Sequence, residues 1–211
     1  MDRVSIAHIK KDIAIAEFDD HSWDRADKIE IVTYWSGQTA PTTRAFEVRL
    51  LWSDNALYVR FEAQQAEALI VSEKPDLTKK VHGLWERDVF EIFIAPDLST
   101  ANKYYEFEVA PTGEWIDLAI EVTPEKRITD WEYASNMEAA AKIDGTQVVE
   151  LIKIPFDALG RTPKPGDVWL GNLFRCVGEG PDRGYLAWRP TRTKEPRFHV
   201  PDAFGEFEFK N

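Results

Sequence analysis

The sequence predicts an all-β fold, built as a sandwich or a barrel. Apolar and polar residues alternate with a period of two along much of the chain, as they do in half-buried antiparallel strands. Turn-forming residues recur roughly every 8 to 12 residues, and very little of the chain shows a helical period. The length of 211 residues suits one such unit, so we expect residues 1–211 to form a single domain.

The first clear pair of strands is a predicted hairpin. Residues 45–52, AFEVRLLW, lead through Ser53-Asp54-Asn55 into ALYVRFEAQ. Short polar side chains suit a tight turn. In the second run Leu57, Val59 and Phe61 share one face, which indicates a strand buried on one side. A polar stretch at 66–83 is then expected to be a surface loop, with one helical turn near residues 67–72.

The remaining strands are predicted in the same way. Residues 88–96 read as a strand, and the next two alternating runs are separated by Pro111-Thr112-Gly113. Gly can adopt the positive φ that such a loop requires, and Asp144-Gly145 has the same role between the following two runs. A short helical segment is expected at residues 155–160. Further strands are predicted at 167–177, at GYLAWRP and in the terminal GEFEFK.

Charge and composition exclude several classes of partner. The formal net charge of −11 repels nucleic acid and anionic membrane surfaces, so we expect neither as a partner. Cys176 is the one cysteine, which excludes an intramolecular disulfide and a cysteine-built metal site. No apolar signal segment is visible, which predicts a cytoplasmic protein, or an extracytoplasmic one if a signal was removed. The oligomeric state stays open.

Motifs for catalysis and for metal binding are weak. The sequence lacks G-x-S-x-G, Walker and G-x-G-x-x-G patterns. Asp88 and Glu91 are close in sequence, but a strand would place them on opposite faces, so they are not preset as an acid/base pair. The four His residues are scattered. Asp97, Ser99 and Asn102 form an oxygen-rich loop that could hold calcium or could be a plain polar turn.

The tryptophans carry the strongest functional signal. Four of the eight lie in or beside predicted strands and are expected to fill the core: Trp52, Trp115, Trp131 and Trp169. Trp85 and Trp188 instead stand where a strand meets a polar loop, with charged neighbours. An indole ring can stack on the C–H face of a sugar while polar side chains bind its hydroxyls. These two residues therefore predict a carbohydrate site.

Several segments together resemble the family 9 carbohydrate-binding modules and their stand-alone bacterial relatives, within the wider DOMON-like group. They are LWERDVFEIFIAPD, YYEFEVAPTG, VELIKIPFDALG with PKPGDVWLGNLFR, and YLAWRPT followed by FHVPDAFGEFEF. The similarity extends from about residue 45 to the end. It implies a jelly-roll-like sandwich of two antiparallel sheets that binds a mono- or disaccharide between two Trp residues.

The resemblance also implies roles for individual residues. Trp85 and Trp188 would form the aromatic clamp, and Glu91 would bind sugar hydroxyls. The Arg and Asn that touch sugar in the family correspond here to Glu108 and Ala110, which should alter the hydroxyls recognised. Arg175, on the strand leading toward Trp188, could restore a cation. The resemblance implies that no cofactor is required. Family members contain structural calcium, so the Asp97 loop remains a candidate calcium site.

Two other functions stay open at this point. The first is a glycoside hydrolase, or a hydrolase-associated protein, that acts on O-glycosyl compounds in carbohydrate catabolism and uses Glu91 or Asp88. The second is a haem-binding redox domain of the DOMON-like kind, with Met137 or His199 as a ligand. Non-catalytic carbohydrate binding is the preferred hypothesis.

Overall fold

A computed structural model describes residues 3–211 and confirms the predicted all-β sandwich. Its helical elements are short 3-10 turns, and no helix in the described range is long and apolar enough to cross a membrane. The strands are β1 Arg3–His8, β2 Ile29–Ile31, β3 Phe46–Trp52, β4 Ala56–Gln64, β5 Val89–Ala95, β6 Lys103–Val109, β7 Trp115–Val122, β8 Arg127–Asp130, β9 Glu138–Asp144, β10 Gln147–Pro155, β11 Val168–Val177, β12 Gly184–Ala187 and β13 Gly205–Phe209. The 3-10 turns are His21–Arg25, Thr42–Arg44, Leu84–Glu86, Leu98–Thr100, Phe156–Leu159, Gly180–Asp182 and Pro201–Ala203.

The strands form two sheets that face each other. The first sheet has the order β8-β7-β6-β5-β11, after which β12 and β13 both pair with β11. The second sheet has the order β3-β4-β10-β9, and β2 pairs with β3. The N-terminal strand β1 pairs in parallel with β13 and then with β3, so it links the two sheets. The other named strand pairs are antiparallel, as predicted.

The turn residues behave as the sequence predicts. The Ser53 hydroxyl accepts hydrogen bonds from the amides of Asn55 and Ala56 and closes the β3–β4 hairpin. Gly113 and Gly145 have φ angles of 84° and 60° in the β6–β7 and β9–β10 turns, where a side chain would be strained. The expected helical segment at residues 155–160 is the 3-10 turn Phe156–Leu159. The turn expected near residues 67–72 has no helical structure.

The first sheet is buried on both faces, which decides where the site can lie. One face packs against the second sheet through alternate residues such as Phe90, Ile92 and Leu173. Its other face forms a separate apolar cluster that includes Phe93, Phe174 and residues of the segment before β13. Successive side chains of β5, β6 and β11 therefore alternate between the inter-sheet core and this outer cluster.

A polar cluster interrupts the inter-sheet core. The Arg175 guanidinium donates to the Gln65 side-chain oxygen at 2.5 Å and to the Arg44 carbonyl at 2.7 Å, and lies 5.1 Å from the Phe90 ring centroid. Asp88 accepts from Gln65, and the fully buried Glu150 faces the same region. Burial raises the pKa of Glu150 well above its usual range, and the charge of Arg175 opposes that rise. Arg175 is thus an internal structural cation.

Removal of this cation should destabilise the fold. Because Arg175→Met leaves buried carbonyl and amide oxygens without their donor and removes the positive charge near Glu150, we expect a loss of about 3–5 kcal/mol in the free energy of unfolding, measured by urea denaturation. The control Arg161→Met changes an arginine whose side chain is 48% exposed, and should shift stability by less than about 0.5 kcal/mol. Equal stability of the two variants would contradict the structural role of Arg175.

Candidate functional site

A cavity of about 640 Å³ lies on the outer face of the first sheet. Its floor comes from β5, β6, β7 and β11, and its sides come from the Leu84–Glu86 turn, the residues around Trp131 and the segment that precedes β13. Aromatic rings and charged groups line it together. The cavity therefore combines apolar surface with polar groups, as ligand sites commonly do.

One wall contains the rings of Trp85 and Trp131, and the His82 ring lies behind Trp131 outside the lining. The Trp85 ring centroid lies 6.1 Å from that of Trp131, which in turn lies 5.4 Å from that of His82. Leu84, fully buried in the outer cluster, anchors the 3-10 turn that carries Trp85. Trp131 follows β8 directly and is 39% exposed, so its ring is available to a ligand.

Arg183 fixes this wall to the sheet. Its guanidinium donates to the carbonyls of Trp85, Glu86 and Arg87 at 2.6 to 2.8 Å, and to that of Gly178 at 2.9 Å. These carbonyls belong to the end of the 3-10 turn and to the β11–β12 loop. A planar guanidinium with several donors suits this cross-link. Arg183 is therefore a positioning residue for Trp85.

The opposite wall comes from β12 and the segment before β13. Phe198 stacks on Phe174 with centroids 4.1 Å apart, and Tyr185 meets Phe198 edge to face at 6.1 Å. The His199 ring stacks on Phe93, while its Nδ1 lies 2.8 Å from the Tyr104 hydroxyl oxygen. Burial lowers the pKa of His199 to about 3, so its imidazole is neutral near pH 7.

Three carboxyl groups meet at the floor. Glu91 of β5 lies directly opposite Glu108 of β6, and Glu106 lies two residues before Glu108 on the same face. Each offers an oxygen within 4.8 Å of the others, and all three side chains are buried. Glu91 and Glu106 line the cavity. We call these three residues the carboxyl triad; its oxygens are ligands of the kind that a metal ion accepts.

Burial and mutual repulsion keep the triad protonated to unusually high pH. Burial raises the pKa of Glu106 to about 7. Burial and the charge of Glu106 raise the pKa of Glu91, and burial with the charges of Glu91 and Glu106 raises that of Glu108. Two carboxylates this close in a poorly solvated site disfavour simultaneous ionisation. The triad is thus an electrostatically strained part of the fold.

Comparison with known proteins identifies the family. Residues 16–211 match the family model described as "Carbohydrate family 9 binding domain-like". The chain belongs to this family. The resemblance noted from the sequence motifs is thereby confirmed, and the cavity described above lies within the matched range. No curated protein sequence matches the chain significantly.

Several solved structures share the fold of this chain. A Bacteroides uniformis protein, provisionally described as carbohydrate-binding, has a TM-score of 0.77 at 18% identity, over 99% of both chains. A family 9 module of Caldicellulosiruptor kristjanssonii in complex with cellotriose has a TM-score of 0.71 at 17% identity, over 99% of this chain and 94% of the module. The same organism's module with glucose gives 0.67 at 17% identity, with 99% and 96% covered. At these identities the likeness shows the fold.

This family 9 domain does not bring Trp85 and Trp188 into one cavity. Trp85 lines the cavity as expected, whereas Trp188 stacks on Phe207 with centroids 5.6 Å apart and packs against the inter-sheet core. The reason is the alternation along β12, because Leu186 and Trp188 point to the core while Tyr185 points to the cavity. The two-tryptophan clamp is therefore not formed by this pair.

The other expected site residues divide between the two faces. Glu91 lines the cavity and Glu108 lies in the triad beside it, and their roles in sugar binding stay predictions. Arg175 does not reach the cavity, because it shares the inner face of β11 with Leu173, whereas Cys176 takes the outer face. The cations that line the cavity are Arg127, Arg183 and Arg197.

Sequence reasoning missed several cavity residues. Trp131 was expected in the core, yet it is exposed at the cavity and contacts Trp85. The polar run RITDWEY around it is the same signal that singled out Trp85. Glu106 alternates with apolar residues in EFEV, which is typical of a strand with one solvated face. Its burial depends on the distant segment that carries Phe198 and covers this face.

The residues named for the alternative functions are dispersed. Asp88 is buried away from the cavity and accepts hydrogen bonds from the amides of Ile70 and Gly178, so it forms no pair with Glu91. Met137 lies in the inter-sheet core, and His199 lies at the cavity. The Asp97 carboxylate accepts hydrogen bonds from Ser99 and Thr100, and structural calcium at this loop stays a prediction.

The triad predicts a specific dependence of stability on pH. A carboxyl whose pKa is raised by folding stabilises the protein below its unfolded pKa, and this contribution is lost as pH rises through the folded value. For Glu106 that window runs from the usual glutamate pKa of 4.5 to the folded-state pKa of about 7. Relative to the parent, Glu108→Gln should therefore gain stability from pH 5 to pH 8, by up to about 1.4 kcal/mol per pH unit.

The measurement is urea denaturation of both proteins at pH 5, 6, 7 and 8. His199, whose pKa is lowered by folding, adds stability as pH rises below about 6.5, but it does so in both proteins and cancels in the difference. Glu125→Gln, at an exposed position, should show no such trend. A stability difference for Glu108→Gln that is flat with pH would contradict the raised pKa values.

Proposed function

We propose that this domain binds carbohydrate without catalysis, in the cavity on the outer face of the first sheet. The observation that carries the proposal is the meeting of two aromatic rings, the half-buried Trp85 and the exposed Trp131, with buried carboxyl groups at Glu91 and Glu106 in one concave site. Sugar rings have apolar C–H faces that stack on indole rings and hydroxyl rims that require hydrogen-bond partners. Both kinds of partner are available within this cavity.

The size of the cavity supports a small ligand. Its volume of about 640 Å³ lies in the ordinary range for small-molecule sites, which suits a monosaccharide, a disaccharide or the end of a longer glycan. Solved family 9 modules of Caldicellulosiruptor kristjanssonii are complexes with glucose and with cellotriose. Ligands of that class are therefore the first to test on this chain.

The aromatic partners proposed here differ from those that the sequence suggested. Trp85 and Trp131 form one wall, and Tyr185 with Phe198 forms the other. A ring inserted between these walls would lie above Glu91 and Glu106, whose carboxyl oxygens can accept hydrogen bonds from hydroxyl groups. Direct contacts of this kind need no cofactor, so we propose that sugar binding is independent of metal ions.

The aromatic walls give a direct test by titration calorimetry against a panel of neutral mono- and disaccharides. Trp85→Leu and Trp131→Leu each remove a stacking surface and should weaken sugar binding roughly tenfold, equivalent to about 1.4 kcal/mol. Trp188→Leu keeps an apolar side chain against Phe207 and should leave the affinity within about twofold of the parent.

The variants also separate the two arrangements. Loss of affinity in Trp188→Leu, with Trp131→Leu unaffected, would restore the clamp suggested by the sequence and overturn the walls proposed here. Circular dichroism should show that each variant is folded. If all three folded variants then bind sugar with the affinity of the parent, the cavity is not the sugar site. Addition of EDTA should not change the affinity of the parent protein.

A further inference from the structure

The carboxyl triad lacks the compensation that buried charges normally have. Among residues 3–211, both carboxyl oxygens of Glu108 and one of Glu106 are buried without a hydrogen bond from outside the triad, and the Glu106 and Glu108 carboxyl groups share a hydrogen bond only with each other. Glu91 receives only a weak contact from the Cys176 thiol, at 3.5 Å. Buried polar atoms are nearly always paired, and unpaired ones at a ligand cavity mark a site that a ligand completes.

No cation of the described chain neutralises the triad. The nearest candidate, His199 Nε2, is 4.0 Å from a Glu106 oxygen, and burial keeps that imidazole neutral. Arg183 already donates to four backbone carbonyls. Arg127 and Arg197 are exposed at the rim of the cavity. The charges of Arg127 and Arg183 oppose the raised pKa values of Glu106 and Glu91, but neither arginine forms an ion pair with the triad, so the negative potential of the ionised floor is only partly compensated.

The surroundings favour an organic cation over a metal ion. Calcium in proteins takes 6 to 8 oxygen ligands, but the floor residues paired with the triad are apolar: Glu106 lies opposite Leu118, Glu108 opposite Ile116, and Glu91 opposite Phe174. A protonated amine has three N–H donors. With charge-assisted bonds of roughly 2.8 Å, a tetrahedral ammonium nitrogen donates to oxygens roughly 4.6 Å apart, and the triad oxygens, which lie within 4.8 Å of one another, are close enough together to share such a donor.

The aromatic walls of the cavity also favour a cationic ligand. Indole and phenol rings attract cations that lie over their faces, and this attraction increases in a desolvated site. Trp85, Trp131 and Tyr185 all line the cavity that opens above the triad. A ligand that has an apolar ring face, several hydroxyl groups and one ammonium group would use every part of this lining.

We propose that the cavity is selective for an amino sugar, whose ammonium group donates to the carboxyl groups of Glu91 and Glu106 while its ring stacks on the aromatic walls. This inference rests on the proposed carbohydrate-binding function and deepens it. Glu91 and Glu106 contact the ligand, and Glu108 lies directly beside Glu91 and strengthens the negative potential.

Binding should release protons. Near pH 7 the triad retains protons, because burial holds the pKa of Glu106 at about 7 and those of its two neighbours above their usual range. An ammonium group stabilises the ionised forms and displaces these protons. The other titratable groups that face the triad are His199 and Cys176, with Arg127, Arg183 and Arg197 around it. Neither His199 nor Cys176 ionises near pH 7, so the triad is the source of the protons.

The test compares D-glucosamine, D-glucose and N-acetyl-D-glucosamine by titration calorimetry at pH 7 in two buffers of different ionisation enthalpy. The last compound carries the same nitrogen without its charge. We expect D-glucosamine to bind at least tenfold more tightly than either neutral sugar, with a buffer-dependent enthalpy that reports proton release. Glu106→Gln should abolish this preference, because it weakens the binding of D-glucosamine by at least tenfold more than it weakens the binding of D-glucose. Glu132→Gln removes an exposed charge outside the lining and should retain the preference.

The outcomes separate the inference from the proposed function. If neutral sugars bind and D-glucosamine binds no more tightly, the selectivity is overturned while carbohydrate binding stands. If no sugar of the wider panel binds, the proposed function fails and the inference fails with it. Binding of Ca²⁺ alone that disappears in Glu106→Gln would make the triad a metal site and would also overturn the inference.

Discussion

The covering of the first sheet on both faces is the constraint on which the rest of this structure depends. In a sheet with one solvated face, carboxyl groups that alternate with apolar residues would be hydrated and chemically unremarkable. Here the outer face of β5, β6 and β11 lies under aromatic residues such as Phe198, so Glu91, Glu106 and Glu108 are buried where the alternation places them. The same alternation directs Arg175 to the opposite face, where it holds the inter-sheet polar cluster together.

This separation of charges across one sheet explains the chemistry of the cavity. The buried Arg175 of the core and the buried acids of the cavity floor lie on opposite faces of one sheet, so they are separated only by its backbone. The core cation and the floor acids therefore have different neighbours. The core cation finds carbonyl and amide oxygens, whereas the floor acids find mainly apolar neighbours. The fold thus tolerates unfavourable electrostatics in the cavity, which is where a ligand can relieve them.

The fold was predictable from the sequence because strand period and turn chemistry are local properties. The β3–β4 hairpin, the glycine turns at Gly113 and Gly145 and the short helical segment after Pro155 each depend on a few adjacent residues. The site was predictable only in part. Trp85 and Glu91, which the sequence singled out, both line the candidate cavity. The direction of the Trp188 side chain, however, depends on the register of β12, and the burial of Glu106 depends on a segment about 90 residues away in sequence. Both are tertiary effects that alternation alone does not determine.

The hydrogen bonds of Arg183 have a consequence for the kinetics of ligand capture. Because one guanidinium joins the turn that bears Trp85 to the β11–β12 loop, the stacking surface is held in place before any ligand arrives. A preorganised surface loses little conformational entropy on association, and encounter then requires no slow rearrangement. Residence times in this cavity should therefore be set by how fast contacts break, and ligands of different affinity should differ mainly in their dissociation rates.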